Sequence, residues 1–366
     1  MTSTGSRDSH QVTLVSLLQQ RRTWLRLALA GLAVLVLWPL IRWALVDAVF
    51  WPPTPEACRV VSAEGAESEP LRAACWPAVL DTLRLLLVGR YPAEDVWRLC
   101  AAAVCGGMAL FSTLRRWPLW TTCLGLMAAA LFVMGAPWLG LVTVPSSEWG
   151  GLALTMILST VGLVGGGAVG MVLAVARSSA LPVARWLAIT YTEVLRGVPL
   201  ITVLFFALYI LPLFLPQDAE RMSEVGRAAI AIVMFEAAYF AEVIRGGLAA
   251  VDPGQDEAAR ALGMSPFQRL RLVILPQALR AATPALISTS IGLIKDTSLV
   301  AIIGLFDLLG TARNVPSIPR WIGRDIEPLI FAGLVYLTLS LLLERMAARY
   351  GTNRQAASTM ILGRSA

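Results

Sequence analysis

The sequence predicts an all-α, polytopic membrane protein with about eight transmembrane helices. The first two observations that predict this fold class are a high content of hydrophobic residues and a low content of charged residues. Hydrophobic residues make up 57% of the 366 residues and charged residues only 15%, and the mean hydropathy is +0.69. Soluble globular domains carry about 25% charged residues. The third observation is that the apolar residues cluster in segments of roughly 20 residues, the length that crosses a bilayer. The loops between them are too short for an extramembrane catalytic domain of ordinary size.

Residues 1–149 form a predicted N-terminal extension with three of these spans, at 24–46, 97–114 and 117–139. The segment 47–96 is rich in proline and glutamate, which indicates a loop with some interfacial helix. The first apolar segment lacks a clean small-residue cleavage site and is longer than the core of a signal peptide. We therefore expect it to remain in the membrane.

Residues 150–350 hold the other five predicted spans, and 351–366 form a predicted cytoplasmic tail. The span boundaries are 152–176, 200–215, 228–250, 284–305 and 328–343. Gly165, Gly166 and Gly167 lie within the first of them. Small residues let membrane helices approach closely, whereas a nucleotide loop would need a preceding strand and a following acidic residue. The glycines therefore favour helix packing.

Arginine placement predicts the orientation of the chain. Alternate loops of the eight-span arrangement are richer in arginine, for example at Arg21-Arg22 and Arg115-Arg116. Positive residues concentrate on the cytoplasmic side, so both termini are predicted to be cytoplasmic. The formal net charge of +6 comes from arginines that flank apolar spans. No basic face of the kind that binds nucleic acid is expected.

The cysteines and the single histidine predict no metal site. Cys58 and Cys75 lie in the loop assigned to the outside, where an oxidising compartment would allow a disulfide, although spacing alone does not decide it. Three further cysteines lie in apolar spans and are predicted to be small buried hydrophobic residues: Cys100, Cys105 and Cys123. His10 is the only histidine and has no ligand cluster around it.

The sequence of the longest inner loop, 250–280, indicates a surface that binds another protein. Asp252-Pro253 begins a helix, Gly263 ends it, and Ser265-Pro266 begins a second helix that is predicted to end before Pro276. Three residues give the first helix a shallow apolar surface beside Glu257: Ala258, Ala259 and Leu262. A helix lying on lipid would carry larger apolar residues and more cations, so a protein partner is favoured.

The same loop resembles the EAA loop of ABC-importer permeases. Glu257-Ala258-Ala259 is followed after three residues by Gly263, and after nine more by Val273-Ile274-Leu275-Pro276. Valine replaces isoleucine at Val273, which is the only departure from the motif. Three flanking blocks, 191–200, 239–247 and 295–299, look like the polar-amino-acid branch of that superfamily.

The resemblance covers about residues 150–350, the five-helix core of a type I ABC-importer permease. The three extra spans, with Ala74-Cys75-Trp76 and Gly89-Arg90-Tyr91-Pro92 in the loop between them, are similar to the M-type permease subunit of general L-amino-acid transporters. Such a subunit sits in the bacterial inner membrane and provides half of the translocation pathway for an L-amino acid.

The resemblance also implies the partners. The assembly contains two ATPase subunits, and an ATPase subunit binds the coupling loop 252–276. A homologous permease completes a heterodimer, and an extracytoplasmic amino-acid-binding protein delivers substrate. The chain itself is then no enzyme and binds no cofactor. ATP and Mg belong to the ATPase subunits, and this sequence contains no phosphate-binding GxxxxGK[ST] loop.

Three ionisable residues lie well inside predicted spans and are candidates for substrate binding: Glu236, Lys295 and Asp296. Asp296 can accept the ammonium group of an amino acid. Thr297 and Ser298 either add hydroxyl contacts or bond back to their own helix. The structural alternative is that Lys295 pairs with Glu236, or that one of them extends towards the interface.

Four charged residues near the inner ends of spans are predicted to form structural or gating ion pairs: Glu193, Arg196, Glu242 and Arg245. The alternative function is an autonomous ion-coupled secondary transporter or channel, in which the intramembrane acids would be coupling sites. The paired helices of the inner loop argue against it. An intramembrane enzyme lacks a nucleophile–base pair or metal set.

Overall fold

The computed structural model describes residues 31, 34–35, 38–51, 58–60, 69–70, 73–114, 119–135, 137, 140–214 and 222–362. Side chains are described within these ranges except at 59–60, 69–70, 110–114, 119–124, 131 and 346–362. Most of the predicted first span, His10 and the side chain of Cys123 therefore lie outside the described residues. The chain divides into two compact units, one comprising residues up to Asp81 with Pro319–Glu327, the other Thr82–Ile318 with residues from Pro328 onwards.

The first unit contains a two-residue antiparallel ladder, β1 (Arg59–Val60) and β2 (Glu69–Pro70), and a short helix, α1 (Pro77–Asp81). The ladder is a small exception in a chain whose described residues are mostly helical, so the all-α class is confirmed. Cys58 and Cys75 form a disulfide with their Cα atoms 5.8 Å apart.

Residues 319–327 complete this first unit. The Arg324 guanidinium donates to the Cys58 carbonyl oxygen at 2.5 Å, and Glu327 Oε1 accepts from the Cys75 backbone N–H at 2.7 Å. Trp321 Nε1 donates to Asp81 at 2.8 Å. All three of these partners from 319–327 are buried. We call Cys58, residues 73–81 and residues 319–327 the disulfide module, since 319–327 contacts both Cys58 and Cys75.

The described residues of the second unit are mostly helical, and the last of its helices begins within the first unit. The helices are α2 (Leu83–Val88), α3 (Val96–Leu114), α4 (Leu119–Met134), α5 (Gly151–Val161), α6 (Gly167–Arg177), α7 (Pro182–Gly197), α8 (Leu200–Phe205), α9 (Glu224–Ala249), α10 (Pro253–Ala261), α11 (Pro266–Gln268), α12 (Leu275–Asp296), α13 (Leu308–Asn314) and α14 (Ile326–Leu362). Wider π-helical turns, Gly162–Gly166 and Arg269–Ile274, join α5 to α6 and α11 to α12.

Within the described residues, three helices are long and apolar enough to cross a membrane. They are Gly151–Arg177, Pro266–Ile303 and Ile326–Arg345. A fourth span results if the pair Pro182–Gly197 and Leu200–Phe214, bent by 105°, is counted as one. These helices support a multi-pass membrane protein, and the larger number of spans expected from the sequence stays a prediction.

The helix that starts at Pro266 does not end before Pro276, contrary to the prediction. It runs on to Ile303, so the segment predicted as a span from Pro284 begins much earlier. Proline disturbs a regular α-turn because it lacks an N–H and its ring crowds the preceding carbonyl. Here Pro276 follows the π-helical turn Arg269–Ile274, where the hydrogen-bond pattern is already displaced, and the helix continues through it.

Gly165 and Gly166 of the π-helical turn and Gly170 of α6 lie directly against α9, which confirms the packing interpretation for them. The exception is Gly167, because no described atom lies within 4 Å of a Cβ atom added there. A Cβ atom at Gly166 would lie 2.9 Å from the Glu236 Cβ, and one at Gly170 would lie 2.7 Å from the Phe240 Cβ. The core beside them is aliphatic and aromatic, and it includes Leu154, Leu158, Leu204, Ile232, Phe235, Leu293 and Val300. The close approach brings Glu236 into the interior.

Candidate functional site

The break between α7 and α8 opens a central cavity of about 600 Å³ against α9 and α12. Val198 is extended (φ −108°, ψ 137°) because proline disfavours helical geometry in the residue before it, and Pro199 then begins α8. Twelve residues line the cavity: Arg196, Gly197, Val198, Pro199, Leu200, Phe235, Glu236, Tyr239, Thr289, Gly292, Asp296 and Leu299.

Both signs of charge line this cavity. Glu236 is 2% exposed, and Asp296 reaches the cavity from the last turn of α12. Arg196 reaches it from the end of α7, with its guanidinium 6.0 Å from the centre of the Tyr239 ring. An amino acid carries one ammonium and one carboxylate group, so carboxyl side chains and a guanidinium in one cavity can hold both ends of it.

The remaining residues of the predicted substrate site do not line the cavity. Lys295 is exposed, as expected for a residue about 100° around the helix from Asp296. Thr297 is buried and its hydroxyl donates to the Ile294 carbonyl at 2.8 Å, and Ser298 is only half-buried. Among ion pairs between described residues, none joins Lys295 to Glu236. Of the five predicted substrate-binding residues, Asp296 and Glu236 therefore line the cavity and the other three do not.

A second group of charges lies where α6, α7 and α9 meet. Glu242 accepts hydrogen bonds from Arg245 and also pairs with Arg177 at 3.4 Å and Arg196 at 3.5 Å. Glu193 pairs with Arg177 at 3.2 Å. We call these five residues the arginine–glutamate cluster. It contains all four residues that were predicted to form ion pairs. It also contains Arg177, which the sequence analysis did not include, although its position at the end of an apolar segment could have indicated it.

The coupling loop has the local structure that its sequence predicts at three positions. The Asp252 side chain accepts from the Gly254 N–H at 2.8 Å and caps α10. Gly263 takes a left-handed φ of 74° after α10, as the glycine after a helix often does. Ser265 and Gln268 form a capping box at the start of α11. Asp256 pairs with Arg269 at 3.4 Å and so ties α10 to the π-helical turn.

The exposed face of the coupling loop differs from the predicted one at one residue. Glu257 and Ala258 are exposed, and Leu262 is 81% exposed. Ala259, however, is 3% exposed, so it packs inward and does not contribute to the apolar surface. Phe267 adds to that surface instead, with 67% exposure. An alanine is small enough to lie either on the surface or in the interior, and the sequence pattern did not distinguish these two positions for Ala259.

Within the part of the chain that the structure describes, no three His, Cys, Asp or Glu side chains are grouped so that they could hold a metal ion. The glutamates of the arginine–glutamate cluster pair with arginines, and the charged groups of the central cavity line open space.

Comparison with known proteins gives matches over most of the chain. A family model described as "Binding-protein-dependent transport system inner membrane component" matches residues 166–352. The inner membrane amino-acid ABC transporter permease protein YhdY of Escherichia coli (strain K12) is 35% identical over 328 residues, 86% of this chain and 86% of that protein.

Two further matches are similar in kind. The glutamate/glutamine/aspartate/asparagine transport system permease protein BztC of Rhodobacter capsulatus is 34% identical over 352 residues, 79% of this chain and 80% of that protein. A solved structure described as an amino acid ABC transporter with histidines is 31% identical, covers 55% of this chain and 91% of its own, and has a TM-score of 0.48.

Proposed function

Because the chain belongs to the family of binding-protein-dependent transport system inner membrane components, we propose that it is the permease subunit of an ATP-driven importer for L-amino acids. The relatives named above are amino-acid permeases, which supports this substrate class. In this proposal the chain lies in the bacterial inner membrane with both termini in the cytoplasm. Residues 1–149 are the extension, with three spans, 150–350 the five-helix transport core, and 351–366 the tail.

The proposed assembly contains this chain, a homologous permease as the second half of a heterodimer, two ATPase subunits and an extracytoplasmic amino-acid-binding protein. ATP and Mg are bound by the ATPase subunits. Exposure of Glu257, Ala258, Leu262 and Phe267 supports the coupling loop as the surface to which an ATPase binds. Such a surface combines a central apolar patch with charged residues at its edge, as protein interfaces commonly do.

The observation that carries the substrate proposal is the mixture of charges in the central cavity. Asp296 and Glu236 are positioned to hold the ammonium group, and Arg196 to hold the carboxylate. Broken helices commonly form substrate sites in transporters because the interrupted backbone can face a ligand there. Lys295, Thr297 and Ser298 remain sequence predictions with no place in the cavity wall.

A continuous helix supports the proposed coupling of ATP hydrolysis to transport. The helix from Pro266 to Ile303 carries Phe267 of the coupling loop near one end and Asp296 of the cavity near the other. A helix of that length transmits a displacement without an intervening loop. Closure of the ATPase subunits on the coupling loop would then move Asp296 relative to α9 and change access to the cavity.

The test of the substrate site is Asp296→Asn in the assembled transporter, reconstituted with its binding protein. We expect the concentration of amino acid that half-stimulates ATP turnover to rise about tenfold, since a charged hydrogen bond is lost, while basal turnover stays the same. The matched control is Asp325→Asn, which changes an exposed aspartate that does not line the cavity. An equal response of both variants to amino acid would contradict the assignment of Asp296.

A further inference from the structure

A second cavity, of about 570 Å³, lies beside the coupling loop and shares no lining residue with the central cavity. It is bounded by the end of α6, the first turns of α7, the last turn of α9 and the π-helical turn Arg269–Ile274. Three guanidinium groups line it, those of Arg177, Arg185 and Arg245, and no carboxylate of a described residue does.

These arginines retain donors that the arginine–glutamate cluster does not use. Arg245 bonds to Glu242 through Nε and Nη2, which leaves Nη1. Arg177 uses Nη1 and Nη2, which leaves Nε. The Arg185 side chain is exposed and has no partner among the described residues. Positive charge therefore exceeds what the neighbouring glutamates neutralise, and the cavity favours an anion with several acceptor oxygens.

The rest of the wall is mostly aliphatic and also contains Ser178 and Ser179. Five branched side chains contribute to it, all half-buried: Val175, Ile189, Leu248, Leu270 and Ile274. A free inorganic anion gains nothing from contact with these side chains, whereas an anion attached to a hydrocarbon chain gains from both parts of the cavity. The combination of guanidinium groups and aliphatic side chains points to a ligand with a charged head and an apolar body.

The position of the cavity along the helices fits the boundary of a bilayer. The apolar helix Gly151–Arg177 meets the criteria for a membrane span, and Arg177 is its last residue. Arginines at the end of a span lie at the level of lipid headgroups. Basic pockets between membrane helices at this level are suited to anionic headgroups.

We propose that this second cavity binds an anionic phospholipid, with its phosphate held by Arg185, Arg177 and Arg245 and an acyl chain lying along the aliphatic wall. The bound lipid contacts α9 immediately before the coupling loop and the π-helical turn immediately after α11. It thereby links the end of α9 to the second half of the coupling loop, which contains this π-helical turn. This binding is independent of which substrate is transported.

The test measures lipid retained by the purified, assembled transporter. The protein is exchanged into nanodiscs that contain phosphatidylglycerol and phosphatidylcholine, extracted in mild detergent, and analysed by native mass spectrometry. We expect wild type to retain phosphatidylglycerol in preference to phosphatidylcholine, and Arg185→Gln to retain about fivefold less phosphatidylglycerol. The matched control is Arg280→Gln, which removes an exposed guanidinium that does not line the cavity.

Three outcomes would overturn the proposal. One is equal retention of the two lipids by wild type, and another is equal loss of phosphatidylglycerol from the Arg185 and Arg280 variants. The third concerns a free anion in place of a lipid. If millimolar inorganic phosphate in lipid-free detergent raises the thermal stability of wild type as much as phosphatidylglycerol does, and does not raise that of Arg185→Gln, the occupant is phosphate without a lipid.

Discussion

Glu242 accepts hydrogen bonds from Arg245, one turn further along α9, with the shortest N···O distance at 2.5 Å. Arg177 from α6 and Arg196 from α7 approach the same carboxylate within 3.5 Å. One carboxylate therefore offsets the mutual repulsion of three guanidinium groups on three different helices. Arg196 also lines the central cavity, so this ion pairing fixes a residue of the proposed substrate site.

Glu242→Gln should destabilise the protein and loosen the meeting point of α6, α7 and α9. We expect a loss of about 2 kcal/mol, less than for a fully buried pair because a quarter of the Glu242 side chain is exposed. Thermal unfolding in detergent measures it. Glu344→Gln is the control, since Glu344 is exposed and has no ion-pair partner among the described residues. Indistinguishable unfolding temperatures for the two variants would show that Glu242 does not hold the cluster together.

Gly170→Ala should force α6 away from α9. The added Cβ would lie 2.7 Å from the Phe240 Cβ and 2.8 Å from the Ala237 carbonyl oxygen, and backbone cannot move aside cheaply. Overpacking of this kind costs about 1–3 kcal/mol. Gly167→Ala on the same helix is the matched control, because no atom of the described part of the chain lies within 4 Å of its added Cβ. The expected order of unfolding temperature is wild type and Gly167→Ala together, with Gly170→Ala well below both.

Replacing both Cys58 and Cys75 by alanine should destabilise the disulfide module. The disulfide closes a segment with a sequence separation of 17, and loss of such a constraint costs about 3 kcal/mol. Limited proteolysis of the 58–75 segment and thermal unfolding both report the change. The control replaces Cys100 and Cys105, which are free cysteines on α3. Contrary to the predicted burial, Cys100 is exposed and Cys105 is half-buried. Unaltered protease resistance in the first double variant would contradict the structural role of the disulfide.

Glu257→Lys should weaken association with the ATPase subunits without affecting membrane insertion. Glu257 is exposed beside Ala258 and Leu262, so the reversed charge falls at the edge of the proposed interface. We expect at least a tenfold loss of ATPase subunit on co-purification, because like charges that face each other across an interface cost several kcal/mol. Glu344→Lys reverses a charge on an exposed face of α14 and should co-purify normally. Full recovery of the ATPase with Glu257→Lys would remove the support for docking at this loop.

Local signals in the sequence predicted local structure well. Asp252, Gly263 and Ser265 lie where their capping chemistry requires, because each acts on backbone groups within three or four residues. Gly166 and Gly170 indicated close packing for a similarly direct reason, since only the absence of a side chain permits it. Each of these inferences depends on one residue type with one dominant physical effect.

Other features depend on contacts between distant parts of the chain, and the sequence alone did not predict them. Pro276 suggested the end of a helix, but the displaced hydrogen bonds of the preceding π-helical turn let the helix continue. Arg177 joined the arginine–glutamate cluster through Glu242, 65 positions away in the sequence numbering (242 − 177). The inward position of Ala259 likewise follows from packing and not from its own preference.

Arg324 reaches back to the Cys58 carbonyl across a sequence separation of 266. Ribosomes add about 5–20 residues per second, so roughly 13–50 s pass between synthesis of these two residues. Throughout that interval the polypeptide around Cys58 and Cys75 lacks the guanidinium and carboxylate that later satisfy its backbone. A thiol oxidant or a protease encounters this region in an immature form, and its final shape is reached only after Arg324 and Glu327 have been synthesised.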